Sequence, residues 1–328
     1  MTRGRKMRAV AVRRFGESAL MTDLPAPGAE DSVLIRVSYA GVNPVDWQLV
    51  DQLTPNSPFP FVLGVDVAGL VEHVPAQETR LHVGDRVFGM ARTHGSYAEY
   101  TAVPTGGRTE PLARIPDSVP DDQAAALPVA AIAALGSLEL LALAPGQCLV
   151  VMGAAGGVGG YAVQMAVARG ARVIATVRGD VAASEAHRLG AEDVYDVDDV
   201  DAVHALRESH PDGVDAVLDI VNGPAGIKRD AEILKRGGRL VSTMFAADVD
   251  WFAERKISAY NIVGHTTPFG GTPNPRQSPQ GLDEIARMLA AGTITSRIHT
   301  TVQLGDAPNL LTTLRTGGLR GKAVIRLH

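Results

Sequence analysis

The sequence predicts an α/β protein in two parts, a β-rich domain and a doubly wound parallel sheet. Three observations carry this. Before about residue 121, apolar runs alternate with Gly, Pro and Asp clusters, and helical periodicity is scarce. Beyond it, strand-like and helical patterns alternate, as in a parallel sheet covered on both faces. Third, residues 149–178 read LVVMGAAGGVGGYAVQMAVARGARVIATVR, a strand–turn–helix–strand unit with glycines at its turn.

Taken in order, the first strands are expected at Met7–Val12, Val33–Val37, Val62–Val74, Arg86–Phe88 and Tyr97–Val103. Ala124–Ala144 carries one charge, Glu139, over 21 residues and so has the length of a membrane span. Pro128 and Gly136 interrupt it and alanine dominates, so it reads as a buried helix pair and not a span. Strands follow at Cys148–Met152, Val173–Val177, Asp193–Asp196, Val214–Ile220, Arg239–Thr243 and Ile262–His265, with helices such as Val181–Leu189 and Ala225–Leu234 between them. Six such strands complete a doubly wound dinucleotide-binding sheet. The tail leaves that pattern: a Gly- and Pro-rich loop (Pro268–Pro279), a helix (Gly281–Ala291), a strand near Ile298–Val302, a helix (Ala307–Leu314) and a last strand (Lys322–Leu327).

Size and composition narrow the function. A chain of 328 residues favours two domains. Its net charge of −5, with no basic block beyond Arg3–Arg8, argues against nucleic acid as a partner. The N-terminal residues lack the apolar core of a secretory signal, and one cysteine, Cys148, excludes an internal disulfide. Both suit a reducing cytoplasm, with Cys148 a small buried hydrophobe.

The glycine turn is where chemistry enters. Unpaired N–H groups and the positive dipole end of the following helix favour a phosphate there, and glycines let the backbone approach it. Gly153, Ala155, Gly156, Gly157, Val158 and Gly159 are therefore candidate contacts for a dinucleotide pyrophosphate.

The segments AGVNPVDW (40–47), FVLGVDVAGLV (61–71), VGDRVFG (83–89), GSYAEYTAVP (95–104), LPVAAIAAL (127–135), AAGGVGGYAVQMA (154–166) and RGKAVIRL (320–327) resemble, in order and spacing, the medium-chain dehydrogenase/reductase superfamily. Within it the similarity is to zinc-independent quinone oxidoreductase-like enzymes. The resemblance implies a GroES-like, β-rich substrate and catalytic domain over 1–123 and 266–328, and a Rossmann NADPH-binding domain over 124–265. It also implies an active site in the cleft between them and a homodimer. Zinc-dependent members place a Cys where Asn43 stands and a His-Glu pair where Val65–Asp66 stands. This chain has neither, and Asp66 alone cannot hold a catalytic zinc, which takes about three protein ligands. No metal is expected.

The cofactor reading rests on the end of the second sheet strand. NAD-preferring relatives usually carry an acid there; here Thr176–Val177 lead into Arg178, with Asp180 third. Arg178 reads as a bidentate partner for a 2′-phosphate, or else as a solvated strand-end charge. Tyr195 stands where relatives place a tyrosine near that phosphate, or is an exposed aromatic. Val221–Asn222 and Thr243–Phe245 are expected to line the cofactor at the open end of the sheet, and His265 to contact it or to be structural.

For the reaction, the resemblance points to the Asn43–Pro44 loop. Asn43 is expected to donate to ribose, nicotinamide or substrate oxygen, and Asp46 to orient it; ordinary turn chemistry is the alternative for both. Trp47, Phe245 and Phe269 are expected to wall the substrate. Relatives often have a Thr where Ala133 stands. His94 and Tyr97 read as structural, and Lys322 as solvated or structural. The expected activity is NADPH-dependent reduction of a small-molecule quinone or α,β-unsaturated carbonyl. A dedicated enoyl or ketone reductase of a polyketide-like pathway and a non-catalytic NADPH-binding protein are the rivals.

Overall fold

A computed structural model describes residues 5–105, 110–262, 272–319 and 321–328. The chain divides into two compact units: Met1–Ile132 with Gln277–His328, and Ala133–Arg276. The first unit is thus assembled from both ends of the chain, with change-overs at 132/133 and 276/277, further along than the 123/124 and 265/266 that the resemblance implies.

The first unit carries β1 (Lys6–Val12), β2 (Leu20–Pro25), β3 (Ser32–Val42), α1 (Pro44–Asp51), β4 (Phe61–Val62), β5 (Asp66–His73), β6 (Arg86–Met90), β7 (Tyr100–Pro104), β8 (Leu112–Arg114) and α2 (Asp121–Ala125). The helix α3 (Pro128–Leu141) leads the chain into the second unit. A small antiparallel sheet runs β2-β1-β4. The larger one runs β15 (Ile298–Gln303), β16 (Lys322–Arg326), β3, β5, β6 and β8, with β7 paired on β3. The long strand β3 pairs with β5 over Leu34–Gly41, with two register shifts, and with β7 over Ser32–Arg36, so that Leu34, Ile35 and Arg36 have a neighbour on either edge. Its apolar face, with Ile35 and Val37, packs on Val67, Val71 and Val87 in a core that also takes Leu310 and Leu311 of the tail.

The second unit holds β9 (Cys148–Met152), α4 (Gly157–Ala168), β10 (Arg172–Val177), α5 (Asp180–Arg188), β11 (Asp193–Asp196), α6 (Ala202–Ser209), β12 (Val214–Asp219), α7 (Pro224–Asp230), β13 (Leu234–Ser242), α8 (Val249–Glu254) and β14 (Ser258–Asn261). These strands form one parallel sheet in the order β11-β10-β9-β12-β13-β14. The order reverses between β9 and β12, which is where such sheets open a crevice at their carboxyl ends. Strand β9 is buried along its whole length, which is why it reads as an unbroken apolar run.

The tail returns to the first unit with α9 (Pro279–Ala290), β15 (Ile298–Gln303), α10 (Ala307–Arg315) and β16 (Lys322–Arg326). Ser278 caps α9, its hydroxyl accepting from Gly281 N at 3.1 Å, and Leu282, Ile285 and Ala286 form the buried stripe.

Three expectations need correction. The sixth sheet strand is Ser258–Asn261; of the expected Ile262–His265 only Ile262 is among the described residues, and it follows the strand. Asn261 ends it, its amide bonding both Ala247 N (2.7 Å) and Ala247 O (3.1 Å). The helix expected through Leu234 is α-helical to Asp230 and passes into a 3-10 turn over Ala231–Ile233, and Leu234 itself pairs with Val214 in the sheet. The strand expected from Tyr97 begins at Tyr100, with Tyr97 buried before it.

Candidate functional site

In the second unit, four strand ends meet at the carboxyl edge of the sheet. Strand β9 ends at Met152, and Gly153 turns the chain at φ +89. Gly153 N donates to both the carbonyl and the hydroxyl of buried Thr176 (3.2 Å each), and Ala154 N to the same carbonyl at 3.0 Å. Thr176 therefore braces the turn from the neighbouring strand. Its role is structural as well as local to the expected cofactor edge.

The glycines divide the work. A Cβ on Gly153 would lie 2.4 Å from Val221 Cγ1, and one on Gly159 would lie 2.4 Å from Gly153 O. A Cβ on Gly156 would meet nothing nearer than Gly153 O at 3.4 Å. Gly153 and Gly159 permit close packing, whereas Gly156 leaves open space at the start of α4, with no side chain capping that helix. Gly156 is exposed, and Ala155, Gly157 and Val158 are half-buried around it. Such a helix start, its N–H groups unspent, is ready for an anion.

Beyond β10, Arg178 is exposed and ion-paired with Asp198. Gly179 N donates to Asp196 Oδ2 at 2.7 Å, and Asp180 opens α5. The acids at this edge thus come mainly from the end of β11, a placement that the sequence near Arg178 does not reveal. Tyr195 packs against the apolar core that includes Leu206, and its hydroxyl bonds Ser209 Oγ at 3.0 Å. The ring is committed to the α6 side. At the end of β12, buried Asp219 accepts from Val221 N (2.9 Å) and Asn222 N (2.8 Å). Thr243 N donates to Asp219 O at 3.1 Å, and the Ser242 hydroxyl holds Phe245 O at 2.6 Å. Val221 and Phe245 are exposed. His265 and Phe269 lie outside the described residues.

The first unit holds a buried polar cluster at the start of α1. Asn43 N donates to Asp46 Oδ2 at 2.8 Å, and Pro44 stands at the first helical position, so local capping explains this pair. The rest is long-range. Asn43 Nδ2 donates to Asp66 Oδ2 at 2.7 Å, while Lys322 Nζ donates to Asn43 Oδ1 at 2.6 Å and to Val42 O at 3.0 Å. Lys322 Nζ lies 3.7 Å from Asp66 Oδ2, and Val129 N donates to Asp66 Oδ1 at 2.9 Å. The Tyr97 hydroxyl donates to Asp46 Oδ2 at 2.8 Å. The amide of Asn43 is thus spent within the protein save for one N–H hydrogen. Lys322 is buried and paired, the structural one of its two readings, and it joins Asp66 in a cluster around Asn43 that sequence reasoning did not assemble.

Burial sets the protonation of this cluster. It pushes the Asp46 carboxyl up to about 7, against the hydrogen bonds from Asn43 and Tyr97, which favour the charged form. Burial likewise raises Asp66 and lowers Lys322, each restrained by the other's charge. Asp46 Oδ1 is buried without a hydrogen-bond partner. Trp47 is half-buried under the Arg315 guanidinium, 5.2 Å from its ring centroid.

Neither unit offers a metal centre among the described residues, where no three His, Cys, Asp or Glu side chains converge. An amide, two carboxylates and an ammonium at the Asn43 cluster do not fit a zinc ion. The glycine turn, in contrast, fits a dinucleotide pyrophosphate.

Comparison with known proteins agrees. Residues 29–117 match the alcohol dehydrogenase GroES-like domain, and residues 157–265 match the zinc-binding dehydrogenase family model. A quinone oxidoreductase from Mus musculus is 32% identical over 302 residues, 89% of this chain and 88% of its own. A 2-methylene-furan-3-one reductase from Solanum lycopersicum is 34% identical over 266 residues, 77% of this chain and 65% of its own. A mycobacterial protein solved in complex with NADPH superposes with a TM-score of 0.84 at 26% identity, covering 98% of this chain and 100% of its own. A GroES-like domain and a doubly wound nucleotide-binding domain, joined in this order and with this similarity, place the chain in the medium-chain dehydrogenase/reductase superfamily, as an oxidoreductase of its quinone oxidoreductase-like branch.

Proposed function

We propose that the protein is an NADPH-dependent, metal-independent reductase of quinones or α,β-unsaturated carbonyl compounds. The observation that carries this is the open helix start at Gly156, flanked by Arg178 in place of an acid at the end of β10. A bound reduced nicotinamide supplies the hydride, and the chain supplies its placement and the electrostatics. In this reading Gly156–Val158 cradle the pyrophosphate, Arg178 meets the 2′-phosphate, and Val221, Asn222, Thr243 and Phe245 line the remainder. Arg178 must exchange Asp198 for the phosphate, a stronger bidentate partner. The Asn43–Asp46 group serves the acceptor: negative charge developing on a carbonyl oxygen needs a hydrogen-bond donor, and one Asn43 amide hydrogen remains to give. Trp47 offers that group an apolar wall.

A dedicated enoyl reductase uses the same parts on one substrate, and the likeness to a reductase named for an exocyclic enone favours keeping that reading. Burial pushes the Cys148 thiol up to about 11 and leaves it inert, while a chain with this single cysteine suits a reducing compartment, and we assign the protein to the cytoplasm.

Absorbance at 340 nm with NADPH or NADH and a panel of 1,4-quinones, enones and enoyl thioesters tests the reading. NADPH consumption with quinones or simple enones supports it, and turnover confined to enoyl thioesters selects the dedicated enzyme. Tight NADPH binding without turnover on any acceptor overturns catalysis in favour of a binding protein. Arg178→Ala is expected to weaken NADPH at least tenfold more than NADH, a difference of about 1.4 kcal/mol. Equal losses remove Arg178 from the 2′-phosphate.

A further inference from the structure

Two carboxyl groups meet beneath the cofactor edge of the second unit, and the reaction uses neither. Asp219, the last residue of β12, is buried, with Oδ1 taken by the N–H groups of Val221 and Asn222. Its Oδ2 is buried and receives no N–H. Asp230, the last residue of α7, is equally buried and hydrogen-bonds to Asp219, while Asn222 Nδ2 reaches Asp230 Oδ2 at 3.4 Å.

Two buried carboxylates in hydrogen-bond contact cannot both be charged, because each pays desolvation and repels the other. The surrounding charges relieve the pair little: the Arg229 charge draws the Asp230 carboxyl down, but less than burial and Asp219 raise it. On α7, Arg229 pairs with Asp201 and Lys228 with Asp248; on the turn packed against α7, Glu232 pairs with Arg207. The sheet neighbours of Asp219, Met152 and Ser242, carry no charge. Burial, then the bond and charge of Asp219, raise the Asp230 carboxyl to about 9. At neutral pH it holds a proton that it can donate to Asp219, whose Oδ2 has no other donor.

That bond has a mechanical result. Asp219, braced by Asp230, holds the Val221–Asn222 backbone through Oδ1. Val221 in turn covers Gly153, whose absent Cβ is the reason both fit. We propose that Asp230 is a positioning residue for cofactor binding: as a neutral acid it donates to Asp219 and locks the Val221–Asn222 turn against the glycine turn, and its ionisation in alkaline solution releases that lock. The inference rests on the nucleotide-site reading given above.

Binding of NADPH to the full chain, followed by its fluorescence between pH 7 and pH 10, tests this. For wild type the Kd is expected to rise about tenfold by pH 10, since only about a tenth of the protein then holds the proton. Asp230→Asn keeps a donor for Asp219 and cannot ionise, so its Kd is expected to stay level across that range. Asp230→Ala removes the donor, and its Kd is expected to be raised and level. An alkaline rise in Asp230→Asn equal to that of wild type overturns the proposal, as does wild-type affinity in Asp230→Ala at pH 7. Should Asp230→Ala fail to fold, the asparagine profile still decides. Absence of NADPH and NADH binding by wild type at pH 7 overturns the cofactor reading itself, a different outcome from binding that ignores Asp230.

Discussion

Asp46 shows how much of this site is decided by burial and not by residue type. Its carboxyl is raised to about 7 in the folded chain, while an unfolded Asp titrates near 3.8. Between those values the folded state holds the extra proton, so this group's contribution to stability is complete below about pH 4. It falls by about 1.4 kcal/mol per unit as pH rises to 7, and is flat above. Urea unfolding at pH 5 and pH 7 is expected to show this loss in wild type and a smaller one in Asp46→Asn; equal losses refute it. Nearby, Asp198→Asn releases Arg178 and is expected to tighten NADPH several-fold with little effect on NADH, as read by titration. The pairing of Asn43 with Asp46 was legible because capping is local. Asp66 and Lys322 were not, since they reach Asn43 from 23 and 279 residues away, and nothing in a linear pattern announces such a partner.

Elements were legible in proportion to how much apolar surface they bury. Strands β9, β10 and β12 announced themselves as continuous apolar runs because both their faces are covered. Strand β2 escaped because it is a largely exposed edge, β8 because it spans three residues, and α1 because eight capped residues show little periodicity. The sixth strand was misplaced by one element's width, its polar Ser258–Asn261 reading weaker than the apolar residues after it. The glycine turn was legible as a motif, but the separate duties of its glycines emerge only from packing. Gly156→Ala is expected to keep the wild-type melting temperature while weakening NADPH more than tenfold. Gly153→Ala, at positive φ and against Val221, is expected to lower stability by at least about 1–2 kcal/mol. Scanning calorimetry and cofactor titration on both variants distinguish them; equal melting losses would deny the division.

At the scale of the whole molecule, the two-part organisation followed from the switch between turn-rich and alternating patterns, whereas the return of the tail to the first unit came from the family resemblance. The described residues leave β14 at the edge of the parallel sheet, paired with β13 alone. An unpaired edge invites a second copy, so a homodimer closed by a two-fold axis is expected. Light scattering should return twice the chain mass of 34.4 kDa. A monomer at micromolar concentration rejects it.

The placement of β16 between β15 and β3, with Lys322 at its start, has a consequence for biosynthesis. On the ribosome the second unit emerges as one uninterrupted stretch and can close early. The first must wait with the flank of β3 bare until β16 has been made. Nascent chains stalled short of that point should therefore recruit chaperones through their earliest-made half.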